Sequence, residues 1–194
     1  MTYKVIYLHD GEVVRYSLPK LSQDLCPNTM LCEYVKGELT RSYPITQADV
    51  VKITLQFAEY SIRHYCKTSI PAAEDCNALT LKWLKNAHSV SNEELKVAAS
   101  AAVDGSIRVP GGAPGVDAAY AAAANAAVHA SAHAAHAAAG VVGAASAAVY
   151  YAADAARAYA LASGADAVRS NNCRDAQYTR QGEFILEYLR TGSI

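Results

Sequence analysis

The chain has 194 residues with 17 Lys+Arg against 18 Asp+Glu, a formal net charge of -1, and its length suits one domain or one domain with a small appendage. That balance disfavours a dedicated duplex nucleic-acid binder, which carries a basic excess, and the lack of high net charge with low hydrophobicity disfavours disorder. The 11 Gly follow no triplet period, which excludes collagen, and 40 residues are Ala, 28 of them between Ala118 and Ala167, so the core must draw on Ala, Val, Leu and Tyr.

Residues 1–45 read as a small β-rich element. Thr2 to Leu8 alternates with β-branched and aromatic residues, Asp10-Gly11 is a hairpin signal, and Val13, Val14 and Tyr16 resume the pattern within Glu12 to Ser17. Pro19, Pro27 and Pro44 punctuate the polar stretch that follows, in which Leu31 to Tyr34 and Glu38 to Tyr43 are candidates for one or two more short strands. Cys26, Cys32, Cys66, Cys76 and Cys173 are odd in number and include no Cys-x-x-Cys pair, so they read as reduced thiols rather than a disulfide framework or a zinc module. The first residues hold an apolar stretch too short and interrupted for a signal peptide, which predicts a cytoplasmic protein.

At Thr46 the apolar period changes from two to about 3.6 residues. Thr46 with Asp49 resembles a capping box, and Val51, Leu55, Ala58, Ile62 and Tyr65 share one face of a helix reaching about Cys66. Pro71, followed by Glu74 and Asp75, starts a second helix with Cys76, Leu79, Trp83, Leu84 and Ala87 as its apolar stripe. Ser91 with Glu94 is a fuller capping box for a third, running through Leu95, Ala98 and Ala102 to a stop at Gly105. Pro110-Gly-Gly-Ala-Pro-Gly115 must be a loop.

Two long Ala-rich helices follow, Asp117 to Ala139 and Ala144 to Ser163, broken at Gly140-Val-Val-Gly143. Methyl groups at the contact let their axes approach closely. A last helix runs from about Asp175 to Leu189, with Tyr178, Phe184, Ile185, Tyr188 and Leu189 available for burial. Ala134 to Ala153 has no formal charge, but it carries His136, Ser146, Tyr150, Tyr151 and two Gly with little Leu, Ile or Phe, which argues against a membrane span. An ice-binding rod needs a Thr face, and residues 116–168 contain no Thr. The expected fold is mainly α, a bundle of about six helices over residues 46–194 behind a β-hairpin element over 1–45.

The residues with chemical potential lie on the Ala-rich helices. His129, His133 and His136, with Asn125 one turn earlier, project from one face. Imidazoles at i and i+4 can share a metal ion, although no Glu stands beside the first His as in metalloproteases. A solvated polar face and a row contacting a ligand or partner are the other readings of this stripe. On the next helix Tyr150, Asp154, Arg157 and Leu161 share a face, with Asp154 and Arg157 spaced for a local ion pair. That face is either a surface pair of small energetic weight or one wall of a cleft opposite the His stripe. The Gly-rich 110–115 segment lacks the Gly-Lys-Ser/Thr ending of a phosphate loop, and His64 and Cys66 point apart on a helix. With no supported nucleophile and base, the chain reads as a non-enzyme without a cofactor.

The segments Ala124-Asn-Ala-Ala-Val-His-Ala-Ser-Ala-His-Ala-Ala-His-Ala and Ala148-Val-Tyr-Tyr-Ala-Ala-Asp-Ala-Ala-Arg follow helices that run from Phe57-Ala-Glu-Tyr to Leu95-Lys-Val-Ala-Ala-Ser-Ala-Ala. Together, over about residues 50–189, they resemble the Ala-rich immunity proteins of bacterial polymorphic-toxin systems. The resemblance implies an all-α intracellular protein that neutralises a toxin by binding it. The leader before Thr46 departs from that pattern and leaves a separate role open, including that of a viral protein that blocks a host defence. The expected function is non-enzymatic neutralisation of a toxin or defence effector. The alternatives are a sponge for a small anionic ligand such as a nucleotide signal, and a metal-dependent enzyme using the His stripe. The expected partner is thus a protein or a small anion, not duplex nucleic acid or a membrane, and a homo-oligomer stays open.

Overall fold

A computed structural model describes residues 4–9, 12–13, 18–67, 69–107 and 116–192. In chain order the elements are β1 (Lys4–His9), β2 (Glu12–Val13), α1 (Leu18–Gln23), β3 (Thr29–Val35), β4 (Glu38–Ile45), α2 (Gln47–Tyr65), α3 (Pro71–Lys85), a 3-10 turn (Ala87–Ser89), α4 (Asn92–Ile107), α5 (Val116–Ala138), α6 (Ala144–Ala162) and α7 (Ala167–Thr191). The protein is mainly helical, with the expected antiparallel β1–β2 hairpin pairing Leu8 with Val13 and His9 with Glu12. No helix among the described residues is long and apolar enough to cross a membrane. The loop expected at 110–115 lies outside the described residues.

The hairpin is one edge of a larger sheet with strand order β2-β1-β3-β4. Both short strands expected after Pro27 form, as β3 and β4. They join through Lys36 and Gly37, whose φ values of 51° and 84° give the two left-handed residues that match a hairpin's twist. The pairing of β1 with β3 is parallel, which a direct turn cannot make, and the chain crosses over through α1. This helix replaces what reads in sequence as a polar, Pro-punctuated stretch: Pro19 is tolerated in its first turn, and Leu21 and Leu25 are fully buried.

α1 lies against α7 at a contact that only glycine allows. A Cβ at Gly182 would sit 2.3 Å from the backbone carbonyl oxygen of Leu18. α7 is also longer than expected. Asp166 caps it by accepting a hydrogen bond from the Arg169 N–H at 2.8 Å, so the polar Arg169–Arg174 segment is helical rather than a linker. Tyr178, Ile185 and Tyr188 are buried as expected, and Phe184 and Leu189 are partly so.

Both capping boxes form. The Thr46 backbone N–H donates to Asp49 Oδ2 at 2.8 Å, and the Asp49 N–H donates to Thr46 Oγ1 at 3.2 Å. Ser91 and Glu94 repeat the pattern at 2.7 and 3.2 Å. Asp49 also accepts the Tyr188 hydroxyl at 2.7 Å, which ties the end of α7 to the start of α2. Two sequence expectations need correction. Ala87 is exposed in the 3-10 turn rather than on the α3 stripe. Gly105 does not stop α4, which continues to Ile107; a Cβ there would lie 3.2 Å from Ala72 Cβ, so the glycine serves a close approach to α3.

α5 is the axis of the bundle, in contact with α2, α3, α4 and α6. It meets α6 over a long contact, and Ala127, Ala130, Ala134 and Ala135 on α5 and Ala148, Ala152, Ala153 and Ala155 on α6 are all fully buried. The turn between them is closed by Gly140 at φ 77°: Val141 N–H donates to His136 O at 2.9 Å and Gly140 N–H to Ala137 O at 3.1 Å. The Gln47 side-chain amide adds hydrogen bonds to the Ala137 and Ala138 carbonyls, so the end of α5 is capped from α2.

Leu at Ala135 or Ala148 is expected to overpack this interface and cost on the order of 1 to 3 kcal/mol, measured by urea denaturation. If both variants match the parent, the methyl contact is not a tight one. Gly182→Ala is expected to cost at least as much, because the clash is with backbone that moves only if α1 moves. A Gly182→Ala variant of parental stability would show that α1 has no fixed seat.

Candidate functional site

The α5 stripe meets α6 through Tyr151. The Tyr151 ring stacks on His129 at 4.9 Å between centroids and 24° between planes, and on His133 at 5.3 Å and 6°. His133 and His136 lie edge to face at 5.7 Å. The three imidazoles are therefore half-buried, neither freely solvated nor fully enclosed. Burial lowers the basicity of all three. His133 falls to about 4 through burial and then the neighbouring His136 and His129, and His136 is depressed by burial and then by Lys96 on α4. Near neutral pH the stripe is thus uncharged and aromatic. Among the described residues no three His, Cys, Asp or Glu side chains are placed to hold a metal ion. Asn125, one turn earlier, is half-buried with its Oδ1 lacking a hydrogen-bond partner among the described residues.

The α6 face holding Tyr150 does not look across at the His stripe. Neighbouring residues on a helix point about 100° apart, so α6 can turn Tyr151 or Tyr150 to α5 but not both. Tyr151 takes that place, and Tyr150, 46% exposed, lines an open cavity of about 460 Å³ with Gln23 of α1, Ser146 of α6, and Arg174, Asp175 and Tyr178 of α7. Asp154 and Arg157 form the expected ion pair: Arg157 Nε donates to Asp154 Oδ1 at 2.6 Å and Nη2 to Oδ2 at 3.4 Å. Both side chains keep substantial solvent access, which limits the pair to a small stabilisation. The expected cleft between the two stripes is therefore replaced by two adjoining sites, an aromatic His–Tyr151 cluster and a polar cavity on α1, α6 and α7, which meet where the Tyr150 and Tyr151 rings pack edge to face at 5.3 Å.

Arg174 and Asp175 bring one charge of each sign to that cavity. The Arg174 Nε is buried without a hydrogen-bond partner and stands 3.9 Å from Asp175 Oδ1, too far for a hydrogen bond. Tyr178 is buried beside it, its hydroxyl pushed up to about 12 by burial against the opposing influence of Arg174. Arg174 does not stand out in the sequence, because the helix carrying it begins at the distant Asp166 cap within a polar segment. With Asp166 read as that cap, Arg174, Gln177, Tyr178 and Gln181 fall at i, i+3, i+4 and i+7.

Cys66 and Cys76 are poorly set for nucleophilic chemistry. Burial raises Cys66 to about 11 and Cys76 to about 12, so both stay protonated near neutral pH. His64 stacks on Tyr60 at 3.8 Å and places Nδ1 2.9 Å from the Tyr60 carbonyl, away from any role beside Cys66.

The His cluster generates a pH dependence. An unfolded imidazole titrates near 6.5, whereas folded His133 titrates near 4. Between those values the unfolded chain binds more protons, so the contribution is complete above about pH 6.5 and declines as pH falls toward 4. The melting temperature is expected to drop between pH 7 and pH 5, where most carboxylates stay ionised, and His133→Gln should flatten the slope. Equal slopes in parent and variant would show that His133 is not the group responsible.

The chain matches no family model, no curated protein and no solved structure.

Proposed function

We propose that this protein acts by stoichiometric binding, neutralising a toxin or defence effector without chemical turnover. The observation that carries this reading is the α1–α6–α7 cavity, where an exposed Tyr150, a buried Tyr178 and the Nε of Arg174, ion-paired with Asp175 at 3.9 Å but making no hydrogen bond, converge. Tyr and Arg are the side chains that most often anchor interfaces, combining contact area with directed hydrogen bonds. A guanidinium with a free donor calls for an anionic acceptor, so the contacting group on the partner is a carboxylate or phosphate. Protonated thiols and ring-stacked imidazoles in the described residues support binding over acid-base or nucleophilic catalysis. The resemblance of the Ala-rich segments to the Ala-rich immunity proteins points the same way.

The free Arg174 donor also favours a second reading, in which the cavity sequesters a small anion. One experiment separates the two. Immobilised parent protein should retain a protein partner from source-cell lysate at about one to one, and the Tyr150→Ala, Arg174→Ala double variant should lose it with an unchanged melting temperature. A protein-free filtrate of the lysate that empties the column of partner would favour the small-anion reading. Full retention by the double variant would remove the cavity from the function altogether.

A further inference from the structure

A second cavity lies between α2 and α7 on a different face of α7, and its chemistry is distinct from that of the Arg174 site. Gln56, Phe57 and Tyr60 of α2 line it with Gln177, Arg180, Gln181 and Phe184 of α7. Its walls are aromatic and held in place: Phe57 and Phe184 pack edge to face at 5.4 Å, and Tyr60 is stacked on His64 at 3.8 Å. Its floor is polar. Gln181 is 1% exposed and spends its Nε2 donor on the Val149 carbonyl of α6 at 3.4 Å, which leaves Oε1 buried with no hydrogen-bond partner. Such an acceptor carries an uncompensated desolvation cost when nothing pairs with it. Gln177, one turn earlier and 6% exposed, presents a second amide to the same space. Arg180 stands exposed at the rim, with no carboxylate among the described residues within ion-pair distance.

We infer that this cavity binds a nucleoside monophosphate, with the base between Phe57, Tyr60 and Phe184, its N–H edge on Gln181 and Gln177, and its phosphate at Arg180. Each part of that assignment follows from one feature of the site. Aromatic walls accept the face of a flat ring, and a carboxamide pair reads a donor and acceptor edge as Gln does on a base. A guanidinium at the mouth suits a phosphate. Size sets the limit: the cavity of about 200 Å³ lies below the roughly 300 to 1,000 Å³ of sites for drug-sized ligands, so it admits one ring system and leaves the phosphate outside. The same chemistry is offered by a free nucleotide and by the end of a nucleic-acid strand, and the chain's net charge of -1 favours the free nucleotide. The inference is independent of the proposed partner site, since none of its seven lining residues belongs to the Arg174 cavity.

The test is calorimetric titration of the full chain with AMP, GMP, CMP and UMP, with adenosine, guanosine, inorganic phosphate and a single-stranded hexanucleotide as further arms, followed by the side-chain NH2 resonances of Gln177 and Gln181. At least one monophosphate should bind and shift both amides, and Arg180→Ala should weaken it at least tenfold while leaving the matching nucleoside unaffected. Gln181→Met and Gln177→Ala should each weaken nucleotide and nucleoside alike, and both are compared at parental melting temperature so that one poorly folded variant does not decide the matter. Any of four results would overturn the inference: no binding by any monophosphate, which makes the site a water pocket only; binding of inorganic phosphate as tight as that of the nucleotide; binding unchanged in all three variants; or a hexanucleotide that binds more tightly than every monophosphate, which assigns the site to a strand.

Discussion

The contact between α5 and α6 governs the rest of the structure. Alanine leaves no side chain to fill a gap between helices, so the fold is stable only if the two backbones come close enough for methyl groups to touch methyl groups. That demand has a geometric result. α5 becomes an axis shared by four neighbouring helices, and the few large side chains on either Ala-rich helix are driven to the margins of the contact. His129, His133 and Tyr151 stack along such a margin. Tyr150, one residue away, is turned toward α7. The candidate-site side chains and core packing are therefore not independent here, because the rotation of α6 that seats its alanines also decides which tyrosine faces which neighbour.

Local signals in the sequence carried through where one short segment decides the outcome. The Thr46–Asp49 and Ser91–Glu94 capping boxes, Pro71 at a helix start and the Gly140 turn each depend on a few neighbouring residues, and each is found where its pattern places it. What was hidden depends on distant partners. The parallel pairing of β1 with β3 needs a crossover, and α1 supplies it only because Gly182, far along the chain, leaves room for Leu18. The N-terminal third of α7 is polar enough to read as a linker; its helicity follows from the Asp166 cap and from the docking of the residues behind it.

The candidate sites were legible to the same extent. The His spacing is a local property of one helix, and the three rings do share a face. Which side chain would lie against them is a property of two helices, and adjacent tyrosines left that open. The α2–α7 cavity had no sequence signature, since Gln177 and Gln181 look like ordinary polar helix residues. Only burial shows that one of them spends its donor on Val149 and keeps an acceptor unused.

The seat of α1 on α7 has a kinetic meaning as well. Arg190 of α7 reaches Glu33 of β3 at 3.3 Å across 157 positions of sequence, and Tyr188 reaches Asp49 across 139. Closing so long a loop adds little free-energy cost beyond that of a shorter one, because the entropy grows only as the logarithm of length, but it imposes an order of events. While the chain is being synthesised, α1 and the neighbouring Leu25 meet α6 first, through the Ser146 hydroxyl on the Leu25 carbonyl, and lack most of their partner surface until α7 has emerged. The Ala-rich hairpin, made of local contacts between consecutive helices, can assemble well before that. The crossover helix is then the last part to seat, and for that interval the nascent chain exposes Leu21 beside the strands that α1 joins, the state most open to chaperones and to self-association.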